Sequence, residues 1–331
     1  MKTKEIIASD VSKLVIDVCI YSTQEVGQFK NSKLGFKNML KWVFKHSKSV
    51  CNQMTFIFEN TGMYSHKLSV YLSDEELRFV VISGLELKRS MGITRGKDDQ
   101  IDAKRIALYG YRLREELKPT KIPSKTLIVL KNLMSLRDKL VRQRAGYKSS
   151  LKEQKLIYKV KENEEFFSVQ SKMIIAFTKQ IKIIENRIKA IINENQDLLE
   201  IYKLVSSVKG IGHQTSLALL VCTDCFSKFK TWRKFASYCG IAPFPFQSGT
   251  SVRGRTKVSH LANKKIKSII NMCAISAIQH NPEMRAYYQK RISEGKNKMS
   301  TINIIRNKLI SRVFAVVKRQ TPYVDTMKYV A

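Results

Sequence analysis

Apolar positions in the first part of the chain fall in short blocks, not long stripes. "EIIASDV" and "KLVIDVCIY" are rich in β-branched residues and meet at a short polar joint, and "EVGQFKN" extends the hairpin pattern, so three strands are expected in succession. "SKLGFKNMLKWVFKHS" then switches to helical spacing, with Leu34, Met39, Leu40 and Val43 as its apolar positions. "QMTFIFEN" predicts a short buried strand ending at Glu59, "GMYSHKLSVYLSDE" a helix, "RFVVISG" a strand and "DDQIDAKRIALYGYRL" a further helix. Three strands, a helix, a strand, a helix, a strand and a helix make a mixed α/β region, bounded at 1–118.

Residues 119–200 have a different pattern. Between Pro123 and Ile201 there is no proline, and Gly146 is the one glycine. Ile174, Phe177, Ile181, Ile184, Ile188 and Ile191 repeat at alternating spacings of three and four, the heptad seam of a coiled coil. Leu133, Leu136, Leu140 and Tyr147 give a weaker matching seam, and "KVKENEE" between the two is a candidate turn. Two antiparallel helical arms or one interrupted helix would satisfy this pattern, and such a seam is an assembly surface more often than an active site. Residues 201–331 read as helical again, with long helices near 262–280 and 297–318 and a helix start at "HNPE". "FPFQSGTSVRGRTKVSHL" reads as a loop of turn formers and cations.

Composition adds a partner class. The chain of 331 residues holds 60 Lys and Arg against 27 Asp and Glu, a formal net charge of +33. A coding bias toward Lys explains many cations but not so few acids, and an excess this large points to a polyanion, nucleic acid above all. A protein contacting about 6–10 phosphates loses roughly three to five orders of magnitude in affinity between 50 and 200 mM salt. No apolar run is long enough to span a membrane and the N-terminus lacks a signal-peptide block, so a cytoplasmic protein is expected. Six scattered cysteines, including the "CTDC" of Cys222 and Cys225, lack the companions of a zinc site and read better as buried positions.

Against this positive background the acids stand out. Asp10 follows the first strand run, Glu59 ends the fourth, and Asp98, Asp99 and Asp102 open a helix. If strands one and four are neighbours, as in a ribonuclease-H-like sheet, Asp10 and Glu59 come side by side and the helix can bring its first turn against both. Carboxylates at that density repel unless a cation sits among them. Mg²⁺ suits all-oxygen ligation, and two ions about 3.5–4 Å apart can clamp the attacking and leaving oxygens of a phosphodiester. Each acid has an ordinary alternative: Asp10 as a turn residue, Glu59 as a surface acid, Asp98 or Asp99 as a helix N-cap. Spacing alone does not choose between Asp98 and Asp99, since both reach Asp102.

Two further signals lie in the last region. "VKGIGHQTSLALL" has Gly210 and Gly212 before a helix, like a helix-hairpin-helix turn whose backbone N–H groups hold a phosphate beside Lys209; a plain tight turn fits as well. "QSGTSVRGR" sets Ser248 beside Arg253 and Arg255, a hydroxyl that can attack phosphorus with guanidinium groups to balance charge; Ser251 fits the spacing equally.

Together these stretches resemble the DEDD-type transposases of certain bacterial insertion sequences and the related Piv-type DNA invertases, over nearly the whole chain. "ASDVSKLVIDVCIY" is similar to the family's opening Gly-Ile-Asp-Val-Ser-Lys and carries Asp10 onto its first acid. "FENTGMY" matches the Glu-x-Thr-Gly-x-Tyr signature through Glu59, and "KDDQIDA" matches Lys-Thr-Asp-x-x-Asp-Ala, which favours Asp99 and Asp102. "KGIGHQTSLAL", "FASYCGIAP" and "QSGTSV" resemble the second family region and carry Ser248 onto its nucleophilic serine. Ala8, Ser9, Ala262 and Lys267 depart from the usual Gly, Ile, Gly and Arg; lysine lacks the bidentate phosphate geometry of arginine.

The resemblance implies a RuvC-like, RNase H-like domain at 1–118, a coiled-coil linker for homo-oligomer assembly at 119–200, and a helical transposase domain at 201–331. It implies site-specific DNA recombination through a composite site of Asp10, Glu59, Asp99, Asp102 and Ser248, in one subunit or across two. It further implies Mg²⁺ on the four acids, as a pair of ions with Mn²⁺ as a substitute, a covalent phosphoserine intermediate and a structured bridge RNA as guide. Nucleic-acid contacts are expected from Lys13, Lys209, Gly210, Gly212, Arg253, Arg255, Lys257, Lys264, Lys265 and Lys267. Two other functions compete: a metal-dependent nuclease that only hydrolyses DNA, and a non-catalytic nucleic-acid scaffold.

Overall fold

The computed structural model describes residues 5–47, 49–90, 92, 98–249 and 252–325, without the side chains of Cys51, Val252 and Arg255. The chain divides into two compact units, Met1–Ile122 and Pro123–Ala331.

The first unit is built on β1 (Glu5–Val11), β2 (Val15–Ile20), β3 (Val26–Lys30), β4 (Met54–Glu59) and β5 (Phe79–Ile82), arranged in the order β3-β2-β1-β4-β5. The first three strands pair antiparallel, while β1, β4 and β5 run parallel, so strands one and four are neighbours as expected. The inner strands are buried on both faces, which is why they read as continuous apolar runs. Ile7, Val18, Phe56 and Phe58 pack under α1 (Lys33–His46) and α2 (Met63–Asp74). Ile6, Ala8, Cys19 and Ile57 pack under α3 (Gly84–Ser90) and α4 (Asp99–Arg112). The short α3 is an addition to the expected order. Leu34 is a correction: it is 69% exposed, because the N-cap at Ser32 sets the helix so that Phe36, Met39, Leu40 and Val43 face the sheet.

In the second unit α5 (Lys125–Ile157) and α6 (Glu164–Glu194) form an antiparallel pair, separated at the expected break by a 3₁₀ turn, Val160–Asn163. Arg137 bonds Glu185, Arg144 bonds Thr178 and Gln170 bonds Gln154, so numbers rise along one helix as they fall along the other. Ile181, Ile184, Ile188 and Ile191 of the seam are buried, while Ile174 and Phe177 are half-buried. The base of this hairpin packs on Leu217 and Leu220 of α8 (His213–Thr223), which follows α7 (Gln196–Ser206). A second core joins α7, α8, α9 (Trp232–Tyr238), α10 (Lys264–His280), α11 (Pro282–Ser293) and α12 (Lys298–Arg319), with Phe235, Ile270 and Leu309 fully buried. The "HNPE" start is realised by Asn281, whose side chain accepts from the Glu283 and Met284 amides.

The segment expected to be a loop instead forms a two-stranded antiparallel ribbon, β6 (Pro243–Ser248) and β7 (Val252–Val258). Pro243 and Pro245 hid this signal. Proline lacks the amide a sheet interior needs, but both strands of an isolated ribbon have a free edge, and a register shift between Phe244 and Phe246 absorbs Pro245. Among the described residues no helix is long and apolar enough to cross a membrane.

Candidate active site

The sheet register builds the first half of the site. Ser9 pairs with Phe58 in the parallel β1–β4 ladder, so Asp10 and Glu59 occupy the next step. Side chains alternate along a strand. Asp10 therefore shares the face of Ala8, and Glu59 that of Ile57, which is the face α4 covers. Small residues bring α4 close: Ala103 and Ala107 are fully buried, and a Cβ on Gly110 would stand 3.0 Å from both Ile6 and Ile57. That approach sets the first turn of α4 over the strand ends.

Electrostatics records the convergence. Burial, and after it the charges of Asp99, Asp102, Glu59 and Asp17, together push the Asp10 carboxyl up to about 6. Asp98 is the N-cap of α4, its carboxylate accepting from the Gln100 amide at 3.2 Å. Asp99 and Asp102 occupy the first turn, and Asp99 is the strongest charged neighbour of Asp10. Asp102 is also held by Arg105, Nη1 donating to Oδ1 at 2.8 Å. Glu59 lies against the start of α3, where a Cβ on Gly84 would fall 2.1 Å from its Oε1, so only a glycine leaves that carboxylate its place.

Sequence reasoning missed a fifth acid. Asp17 stands opposite Asp10 in the antiparallel β1–β2 register, is 2% exposed, and accepts from Gln28 Nε2 at 2.9 Å. Burial raises its pKa, the Gln28 hydrogen bond opposes that, and Asp99 and Asp98 add to the rise. Its only signal was an aspartate inside the apolar run "VIDV".

The donor set fits a hard divalent cation: carboxylate oxygens only, gathered where their mutual repulsion calls for positive charge. Among the described residues no three such side chains are drawn together tightly enough to hold one ion. Mg²⁺ does not require that, since it commonly takes one or two carboxylates and fills its octahedron with waters and substrate phosphates.

In the second unit Ser248 is the last residue of β6, exposed at the tip of the ribbon and paired in register with Val252. Ser251 and the side chain of Arg255 lie outside the described residues. Arg253 and Lys257 are exposed on β7, and Lys264 is exposed at the start of α10, where Lys267 is half-buried. Lys265 is ion-paired with Asp138 of α5, and Lys209 with Asp325. Gly210 has φ +92°, and a Cβ there would stand 2.9 Å from Ala277, so it serves backbone geometry and close packing. Gly212 is the N-cap of α8 with open space beside it. Lys13 is exposed in the β1–β2 turn of the first unit. Burial pushes the Cys222 thiol up and Cys225 up to about 11, so both stay protonated.

Residues 7–155 match a family model described as a transposase, of the DEDD IS110 type, and residues 202–289 match the model "Transposase IS116/IS110/IS902 family". The chain is 27% identical over 332 residues to the pilin gene-inverting proteins of Moraxella bovis and Moraxella lacunata, spanning 97% of this chain and 98% of each relative. It is 30% identical over 133 residues to an uncharacterized 43.6 kDa protein of insertion element IS110 from Streptomyces coelicolor, spanning 39% of this chain and 33% of that protein.

Proposed function

Since the chain belongs to the family of IS110-type transposases and Piv-like DNA invertases, and is a DNA transposase/recombinase enzyme, we propose that it cuts and rejoins DNA with an acidic face and a serine nucleophile. The observation that carries the reading is the register that sets Asp10 beside Glu59, in the field of Asp99 and Asp102, which with burial raises its carboxyl to about 6. The DEDD match implies divalent metal dependence, typically Mg²⁺. When bound, the metal supplies Lewis-acid polarisation of a phosphoryl oxygen and charge stabilisation at the scissile phosphate.

The residues of the chain divide the remaining work. Asp10, Glu59, Asp99 and Asp102 would supply the carboxylate oxygens for the cation, one or two to each ion, with water and substrate phosphate completing its shell. Ser248 forms a bond from its Oγ to phosphorus as the bond from phosphorus to one deoxyribose oxygen breaks; the serine loses its proton and the departing oxygen takes one up. Attack by a free hydroxyl end of DNA on the phosphoserine reverses these changes and reseals the strand. Exposure of Ser248 at a ribbon tip supports this role, because the hydroxyl can meet a backbone that no pocket would admit.

Assembly and guidance complete the proposal. The seam itself is buried between α5 and α6 of one chain, so the far end of the pair, where Leu156 and Ile157 are exposed, would join copies through an apolar contact. The net charge of +33 supports a structured guide RNA together with donor and target DNA. Incubation with DNA from the flanks of its own element, with RNA that copurifies, tests the chemistry. The expected product is a protease-sensitive protein–DNA adduct that Ser248→Ala abolishes. Strand cleavage that Ser248→Ala leaves intact would establish hydrolysis by the acidic face alone.

A further inference from the structure

The β6–β7 ribbon carries more than a serine. Residues two apart along β6 share a face, so Phe244, Phe246 and Ser248 form a row at intervals of about 6.8 Å. Phe244 is 46% exposed and Phe246 is 65% exposed. Aromatic side chains gain by leaving water, so two exposed phenylalanines on one short ribbon call for a partner. Here both stand beside the candidate nucleophile.

The partner strand shows how Phe246 is held. Its register partner is Gly254, and a Cβ on Gly254 would stand 2.7 Å from the Phe246 ring. Gly254 has no positive φ to require a glycine. The absent side chain leaves room for the Phe246 side chain against the β7 backbone. A strand glycine commonly marks such a close approach. The side chain is braced at Gly254 and still 65% exposed. Lys257 stands opposite Phe244 on the same side of the ribbon.

Charge identifies the occupant. Between Asp224 and Glu283 the sequence has ten Lys and Arg and no acid. An apolar protein surface gains nothing from such a field, whereas a nucleobase brings a flat π-face together with an anionic backbone. Aromatic platforms edged by cations are the usual means of holding unpaired bases.

We propose that Phe246, braced on Gly254, is a stacking platform for an unpaired nucleobase next to the phosphate that Ser248 addresses, with Phe244 as a second step. This rests on the DNA-recombinase reading and adds to it that the bases beside the cut are out of the duplex. Phe246 would thus be a positioning residue: it sets where the backbone lies along the ribbon and forms no bond to phosphorus.

The experiment uses the full chain and an oligonucleotide with 2-aminopurine as its unpaired base, either single-stranded or in a gapped duplex. Stacking on Phe246 is expected to quench the probe. Phe246→Leu should abolish the quenching and weaken binding of the unpaired probe by about 5- to 150-fold, while Phe246→Tyr retains both. Binding of a fully paired duplex should be the same for all three proteins. Circular dichroism melting of Phe246→Leu confirms that the fold is kept, and Phe246→Tyr provides the comparison if it is not. Wild-type affinity and quenching in Phe246→Leu would overturn the platform and leave the recombinase reading standing. Failure of the wild-type protein to bind any of these DNAs would instead overturn the reading beneath it. A change of oligomeric state in Phe246→Leu with DNA binding unaltered would make the face a protein contact and overturn the proposal.

Discussion

Asp10 and Asp17 stand opposite each other across the β1–β2 pair, two carboxylates in direct register on the sheet face that α4 covers. Like charges directly opposite in an antiparallel pair are destabilising, and Glu59, Asp99 and Asp102 add to the same field. The fold carries this repulsion at the ends of its most buried strands.

The repulsion predicts a pH dependence. Asp10 rises from 3.8 to about 6 on folding, so the native state holds more protons than the unfolded chain between those values. Stability therefore falls as pH rises through that window and stays reduced above it. Asp10→Asn removes the charge and keeps the shape. Thermal denaturation should find the variant more stable than the wild type at pH 8 and equal to it at pH 4.

The two adjacent acids at the start of α4 should separate by role. Asp98 caps the helix through the Gln100 amide, so Asp98→Ala should cost about 1 kcal/mol in denaturant unfolding while Asp98→Asn costs little. Asp99→Asn should leave stability within about 0.5 kcal/mol or raise it, and should lose DNA strand cleavage in a gel assay.

Gly84→Ala tests the seat of Glu59. A methyl group 2.1 Å from Oε1 must displace the carboxylate. Displacing a group that positions a metal ligand typically costs 10–100-fold in affinity. Calorimetric titration with Mn²⁺ should show a loss of about that size, with a far-ultraviolet circular dichroism spectrum like that of the wild type.

The exposed and paired lysines should differ in DNA binding. Lys257 is exposed on the ribbon, and Lys265 is engaged with Asp138. Lys257→Ala should reduce the slope of log affinity against log salt by about 1. Lys265→Ala should change that slope less and should loosen α10 from α5.

Much of the first unit was legible because strand and helix periods differ and each core strand is a short apolar run. The pattern of the chain was enough to put Asp10 and Glu59 at strand ends, and Asp99 and Asp102 on a first turn. It was not enough for Asp17, since only the antiparallel register shows that it faces Asp10. Leu34 misled because periodicity gives a face but not its exact edge, which the Ser32 cap decides. The ribbon was read as a loop because Pro243, Pro245 and the glycines are turn formers in most settings, and only an isolated pair of strands tolerates them. The bracing of Phe246 by Gly254 is a cross-strand contact with no sequence signature.

The central claim is that a divalent cation binds on the acidic face that Asp10, Glu59, Asp99 and Asp102 share. Electron paramagnetic resonance of free Mn²⁺ in a titration of the full chain at pH 8 tests it most directly. The expected result is saturable binding by the wild type, displaced by Mg²⁺, and weakened at least tenfold by Asp10→Asn and by Asp102→Asn. Mn²⁺ binding as tight in both variants as in the wild type would contradict it.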